Sequence, residues 1–242
     1  EGTEVKPANI YYTGSKAYTI GGAGKIVDGV FTHQGSGTVT MKNNNTNTGG
    51  NHLMSGTTKV SSLSNATQAY GNLGGVTASG NKFTIENGAV LQNTAAVTNG
   101  SIVRVVDKGV IKTDANFAQQ AAIGGDTLVK TGSASLNMTG NLVVNRVIVK
   151  AGSMDYSGTN FTKTVELQGN TALYGKGFIT TPLHIAAGAK AAVTTINRAT
   201  TSSKLTGDGQ VTIYCATEKG SSWYATRTPL ELKMTEFSGT LV

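Results

Sequence analysis

The chain has 242 residues, 32 of them glycine, with a formal net charge of +7 and a pI of about 9.4. Its hydrophobic content of 38% and its charged content of only 14% exclude an ordinary disordered chain. The basic residues are scattered singly, so no continuous phosphate-binding surface is expected and nucleic acid is not predicted as a partner.

The first residues carry no initiator methionine and no basic-then-apolar leader, because the chain starts at Glu1. We therefore expect a processed segment of a longer exported protein, with an irregular start over residues 1–20. Cys215 is the single cysteine, so no disulfide framework is expected, which fits a bacterial surface protein. No stretch approaches the roughly 20 apolar residues that cross a bilayer, and no membrane-spanning segment is predicted.

Residues 31–50, FTHQGSGTVTMKNNNTNTGG, join an alternating run to a tract of asparagine, threonine and glycine. The alternation over residues 37–41 predicts a strand with one buried face. Asparagine side chains often bond to nearby main-chain groups, so Asn43, Asn44, Asn45 and Asn47 predict an extended surface turn between two coils. A cation site is the alternative, but the tract offers no carboxylate for it.

From residue 83 onward the chain repeats a unit that contains an apolar run, a polar step, a glycine and a second alternating run. The glycines are Gly88, Gly109, Gly132, Gly152, Gly169, Gly188 and Gly209, with successive spacings of 21, 23, 20, 17, 19 and 21 residues. Glycine suits a turn that needs a positive φ angle. A unit of this length cannot bury its apolar face alone, but it can do so by stacking on the next.

The pattern predicts an all-β fold, a single-stranded parallel β-helix of roughly 10–12 coils. It is expected to form one domain over residues 1–242, because no linker interrupts it. An antiparallel sandwich is the alternative, since it also has short strands and frequent turns. The recurrence of one turn at nearly the same phase favours the β-helix. Residues 213–230 break the rhythm and predict an irregular loop.

Two stretches carry a family resemblance: residues 22–63, with a Gly-x-Gly step, a Thr-rich strand and a later GTTKV, and the shorter version at residues 126–154. They resemble the autotransporter-associated β-strand repeat. The resemblance implies an exported β-helical passenger region at the bacterial surface. A divergent third version follows residue 205. The family's membrane-anchoring barrel has no counterpart in these residues.

Three carboxylates, Glu86, Asp107 and Asp126, are spaced by 21 and 19 residues, close to one coil. Aligned carboxylates with a nearby base, such as Arg104 or Lys108, are what a polysaccharide lyase or glycoside hydrolase requires. The simpler interpretation is that Glu86 and Asp107 are polar turn residues before a glycine. No catalytic residue is therefore assigned.

Other candidates are fewer. His33 and His52 lie 19 residues apart and could stack, but two imidazoles without a third ligand make a poor metal site, and two exposed histidines are expected. His184 has no evident partner. Trp223 and Tyr224, with Arg227 nearby, could form a sugar-stacking platform, or could cover the end of the core. These three are the predicted ligand-binding residues.

These patterns predict a non-catalytic, adhesin-like or stalk segment at the bacterial cell surface, extracellular or associated with the outer membrane. Its expected partners are glycans or matrix proteins of a host or neighbouring cell, and no cofactor or metal is expected. A polysaccharide-binding module and a polysaccharide-degrading β-helix enzyme are the alternatives.

Overall fold

The computed structural model describes residues 2–75, 82–156, 162–175, 181–196, 204–216 and 233–242. In these residues the chain is all-β and contains no helix, so no helix is long and apolar enough to cross a membrane. Of the predicted irregular loop at 213–230, only residues 213–216 are described, and they belong to a strand.

The first twelve strands are β1 (Glu4–Val5), β2 (Asn9–Tyr12), β3 (Ala17–Ile20), β4 (Lys25–Ile26), β5 (Val30–His33), β6 (Thr38–Met41), β7 (Asn51–Leu53), β8 (Thr57–Val60), β9 (Lys82–Glu86), β10 (Val90–Asn93), β11 (Val97–Asn99) and β12 (Ile102–Thr113). The others are β13 (Phe117–Gln119), β14 (Ile123–Thr131), β15 (Ser135–Met138), β16 (Leu142–Val149), β17 (Gly152–Tyr156), β18 (Thr164–Leu167), β19 (Asn170–Gly175), β20 (Leu183–Ile185), β21 (Lys190–Ile196), β22 (Lys204–Gly207), β23 (Gln210–Ala216), β24 (Lys233–Phe237) and β25 (Thr240–Leu241).

Each strand pairs in parallel with the equivalent strand of the next turn, which makes the fold a β-solenoid of about nine turns. Face A stacks β2, β5, β7, β9 and the first halves of β12, β14 and β16. Face B stacks β3, β6, β8, β10, the second halves of those long strands, and β18, β20, β22 and β24. Face C stacks β11, β13, β15, β17, β19, β21, β23 and β25.

The predicted parallel β-helix is therefore confirmed, with somewhat fewer turns than the 10–12 expected. The turns are not equally long. Val103 lies opposite Phe83, 20 residues earlier, but Phe83 lies opposite Asn51, 32 residues earlier. Lys233 similarly lies opposite Lys204, 29 residues earlier. These two long turns use residues that the glycine spacing alone would assign to additional coils.

The inward positions of the three faces form one apolar core. Phe83, Val103, Ile123 and Leu142 are fully buried in one column of face A, and they stack turn on turn. Outward positions alternate with them, as the period of two in a strand requires. Residues 1–20, expected to be irregular, contain β1, β2 and β3, because Ile10 and Ile20 extend the columns of Phe31 and Met41.

Most of the repeat glycines occupy left-handed turns. Gly88, Gly132, Gly152, Gly169 and Gly188 have φ between 62° and 83°. Two of the seven do not have a positive φ, Gly109 and Gly209; at those turns the left-handed residue lies two positions earlier, at Asp107 (φ 58°) and Gly207 (φ 99°). The glycine pattern thus marks the corner of each turn, while the residue that makes the bend varies.

Candidate functional site

The predicted carboxylates lie on three consecutive turns, at the corner where face A bends into face B. Glu86 is the last residue of β9 and lies opposite Val106, next to Asp107. The main-chain N of Asp107 donates to Oδ2 of Asp126 at 3.0 Å. The side chain of Asn145, one turn further on, donates to Oδ1 of Asp126 at 3.1 Å. The alignment predicted from the spacing is therefore present.

Both carboxylate oxygens of Asp126 accept hydrogen bonds from neighbouring turns, so this group supports the corner of the solenoid. Asp107 and Asp126 are exposed, and Glu86 is half-buried. Arg104 and Lys108, the expected basic partners, are exposed on the same long strand, β12. Asp107 itself has a left-handed backbone, which aspartate tolerates better than most residues, and this accounts for its presence at the bend.

A second set of polar side chains forms a column on face B. Arg146 pairs with Glu166, and Glu166 lies opposite His184, whose Nδ1 is 3.0 Å from Oγ1 of Thr206. Burial alone would raise the pKa of Glu166, but hydrogen bonds from Gln168 and Arg146 and the charge of Arg146 hold it below its ordinary value. The expectation that His184 has no partner is wrong, because successive turns bring it between Glu166 and Thr206.

The asparagine tract is not a surface turn. Asn43, Asn45 and Asn47 have exposed fractions of 8%, 0% and 3%. Asn45 accepts from the main-chain N of Ile26 at 2.9 Å and donates to the O of Asn72 at 2.8 Å. The predicted bonding to main-chain groups is correct, but the partners lie on other turns and inside the solenoid. The chain leaves the regular path later, between Val60 and Lys82, and that segment closes over the asparagines.

The two histidines do not lie side by side. His52 is opposite Thr32 and exposed, whereas His33 is opposite Leu53 and fully buried. The register differs by one residue from the 19-residue spacing, and a shift of one residue sends a side chain to the other face. Nδ1 of His33 lies 2.8 Å from Oγ1 of Thr58, and the ring packs edge-on against Tyr12. The expectation of two exposed histidines is therefore wrong for His33.

Lys130 is a buried amine that the sequence did not single out. Its exposed fraction is 0%, and its Nζ donates to the O of Gly132 at 2.8 Å and to the O of Ala151 at 2.7 Å. Burial lowers the pKa of Lys130 to about 8. The amine joins the left-handed corners of two successive turns, where the main-chain carbonyls have no strand partner to the inside.

Metal and pocket geometry add little. Among the described residues, no group of three or more His, Cys, Asp or Glu side chains is close enough to hold a metal ion. A hollow of about 700 Å³ opens at the first turn and is lined mainly by apolar side chains, including Val5, Ile10, Ile20 and Ile26. Trp223, Tyr224 and Arg227, the predicted ligand-binding residues, lie outside the described residues and remain a prediction.

Comparison with family models, with curated protein sequences and with solved structures finds no match to this chain. The resemblance to the autotransporter-associated repeat is therefore carried by the quoted motifs alone.

Proposed function

We propose that this chain is a non-catalytic segment of a bacterial surface protein that serves as a rigid rod and an adhesive surface outside the cell. The observation that carries the proposal is the uninterrupted parallel ladder, which runs from β2 to β24 over one core. A fold of this kind holds its outward side chains in columns, one residue per turn, about 4.8 Å apart.

Columns of this kind suit adhesion, because many weak contacts along one face act together. Binding of the second and later contacts is intramolecular, so the combined affinity exceeds that of any single contact. The partners that fit are repetitive themselves: glycans or matrix proteins on a host or neighbouring cell. The fold alone is compatible with several functions, so the motif resemblance and the repetitive surface support this choice together.

The experiment is an adhesion assay with beads that carry the 242-residue protein at controlled density. We expect beads to be retained on surfaces coated with cells, glycans or matrix proteins, with retention that rises more steeply than the density of the protein. The control is the same protein unfolded by heat before coupling. Equal retention of both bead types, or none on any surface, contradicts the proposal.

The exported location is a separate part of the proposal and needs its own measurement. Protease added to intact cells that express the parent protein should remove the segment, while a cytoplasmic marker stays intact. Full protection of the segment in intact cells, with cleavage only after lysis, contradicts a surface location.

A polysaccharide-cleaving enzyme is the second candidate, favoured only by the alignment of Glu86, Asp107 and Asp126 on consecutive turns. Its test is the release of reducing or unsaturated sugar ends from a panel of polysaccharides. The matched variants are Glu86→Gln and Asp126→Asn. Sugar release by the parent that both variants abolish establishes this function; the proposed rod role predicts no release.

A further inference from the structure

Face C differs from the other two faces in the side chains that it turns outward. Its last complete turns present three columns. The first contains Asn170, Lys190 and Gln210; the second contains Ser153, Ala172, Ala192 and Thr212; the third contains Asp155, Tyr174, Thr194 and Tyr214. The middle column is made of small residues, so the surface between the outer columns is low and flat.

Two tyrosines stand out from this surface. Tyr174 is 38% exposed and Tyr214 is 55% exposed, although both are on strands of a well-packed sheet. Thr194 lies between them in the register, opposite both. Two strand spacings separate the tyrosines, so their Cα atoms are about 9.5 Å apart along the solenoid axis.

We propose that face C binds an uncharged, extended β-1,4-linked polysaccharide, with Tyr174 and Tyr214 each stacking on a sugar ring. In such a chain successive sugars alternate in orientation, so every second ring presents the same face. The two-sugar repeat is close in length to two strand spacings. The tyrosines can therefore contact sugars n and n+2 of one chain that runs along the axis.

The remaining columns supply what the sugars between and beside the rings need. The hydroxyl of Thr194 lies opposite the intervening sugar, and the amides of Asn170 and Gln210 can bond to sugar hydroxyls at the other edge. The small residues Ala172 and Ala192 let the polysaccharide approach the sheet closely. Aromatic rings that stack on sugars, flanked by a few polar groups, are a typical arrangement of carbohydrate sites.

The charges of the face select a neutral polymer. Its three columns contain one lysine, Lys190, and one aspartate, Asp155, so their net charge is zero in a chain of net charge +7. Asp155 is in register with Tyr174, where it would repel a polyanion beside the aromatic contact. Face B, with Lys112, Arg146 and Glu166, carries more of the charge and lacks exposed aromatic residues at these turns. The inference goes beyond the proposed rod and adhesion role, which specifies no ligand.

The test is cosedimentation of the 242-residue protein with insoluble cellulose and chitin, both β-1,4-linked, and with a β-1,3-glucan of different repeat. We expect binding to at least one of the first two and much weaker binding to the third. Tyr174→Ala and Tyr214→Ala should each reduce the binding constant about three- to tenfold, and the double variant should abolish retention. Tyr174→Phe and Tyr214→Phe keep the ring and should keep most of the binding.

Tyr70→Ala is the matched control, because Tyr70 is 45% exposed but lies outside face C. A soluble hexasaccharide spans both tyrosines, whereas a disaccharide does not; Tyr214→Ala should therefore weaken the hexasaccharide and leave disaccharide binding at Tyr174 unchanged. Circular dichroism checks that each variant is folded. The proposal is overturned if the parent binds neither β-1,4 polymer, if the double variant binds as the parent does, or if Phe and Ala variants lose binding equally. Failure here leaves the adhesion assay on cells and matrix proteins unaffected.

Discussion

Asn45 donates a hydrogen bond from its side chain to the main-chain O of Asn72, 27 residues away, at 2.8 Å. Asn72 in turn donates from its side chain to the O of Asn43 at 3.0 Å. These amides link the regular turn to the long segment that covers it, and they replace the missing ladder bonds between the two. The tract that reads as low complexity is therefore an internal support of the solenoid.

Replacement of Asn45 by alanine should destabilise the protein by about 2–3 kcal/mol, because it leaves the buried N of Ile26 and the O of Asn72 without their partners. Chemical denaturation monitored by circular dichroism measures the change in the free energy of unfolding. Asn9→Ala is the control, since Asn9 is exposed on β2 and should change stability by less than about 0.5 kcal/mol. Equal effects of the two substitutions contradict a supporting role for the tract.

Replacement of Gly132 by alanine should be more damaging than replacement of Gly188. Both glycines have a left-handed backbone, with φ of 83° and 71°. An alanine Cβ at position 132 would lie 2.3 Å from the O of Thr113, whereas at position 188 it would meet nothing within 4 Å. We expect about 1–2 kcal/mol for Gly188→Ala, the cost of the backbone conformation alone. Gly132→Ala adds the clash and should cost at least about 1 kcal/mol more.

Thermal and chemical unfolding of the two glycine variants give this comparison directly. Because both substitutions change the unfolded chain in the same way, the difference between them reports the native clash. A Gly188→Ala variant as unstable as Gly132→Ala would show that the close approach to Thr113 is not what limits the corner.

Lys130 should make stability rise with pH in the alkaline range. Its pKa is lowered from an ordinary 10.5 to about 8, so between those values the unfolded chain binds a proton that the folded chain does not. The penalty for burying the charge is complete below pH 8 and is relieved as pH rises towards 10.5, by up to about 3 kcal/mol. The free energy of unfolding, measured from pH 7 to 10.5, should follow this course.

Lys130→Met removes the titrating group and should flatten that rise, while Lys150→Met, at an exposed position, should leave it unchanged. The comparison of the two variants separates Lys130 from the other groups that titrate in this range. A rise that persists in Lys130→Met would show that another group causes it.

His33 should make the protein sensitive to mild acid. Burial lowers the pKa of His33 below its ordinary 6.5, and contacts with Gly35 and Gly37 only partly oppose this. The unfolded chain therefore takes up a proton that the folded chain refuses, and stability falls as pH drops below 6.5 towards the folded pKa. Denaturant midpoints at pH 7 and pH 5 should differ more for the parent than for His33→Gln. His52→Gln, at an exposed histidine one turn away, should retain the full pH dependence.

The sequence predicted the architecture because glycine marks each corner and alternation marks each strand. Gly88, Gly132 and Gly152 show why: a left-handed bend at nearly every turn leaves a visible period. The number of turns was less predictable, since the segment between Val60 and Lys82 lengthens one turn without changing the register on either side of it.

The polar interior could not be predicted in the same way. Alternation states that neighbouring residues face opposite sides, but it does not state which side is inside when both carry polar groups. His33, Asn45 and Lys130 face inward because the strand register places them there, and their partners are one turn away at variable spacing. The corner formed by Asp107 and Asp126 was predictable, because its residues are spaced by one turn.

The parallel register also fixes how the rod would respond to tension. Hydrogen bonds between parallel strands point along the axis, so a pull applied between the two ends loads the bonds of one ladder step at a time, as a zipper is loaded. The end turns, where β25 pairs through only Thr240 and Leu241, are held least and should peel first. A released turn of about 20 residues can extend to about 70 Å. A stalk built this way would lengthen stepwise under force while the remaining turns keep their fold.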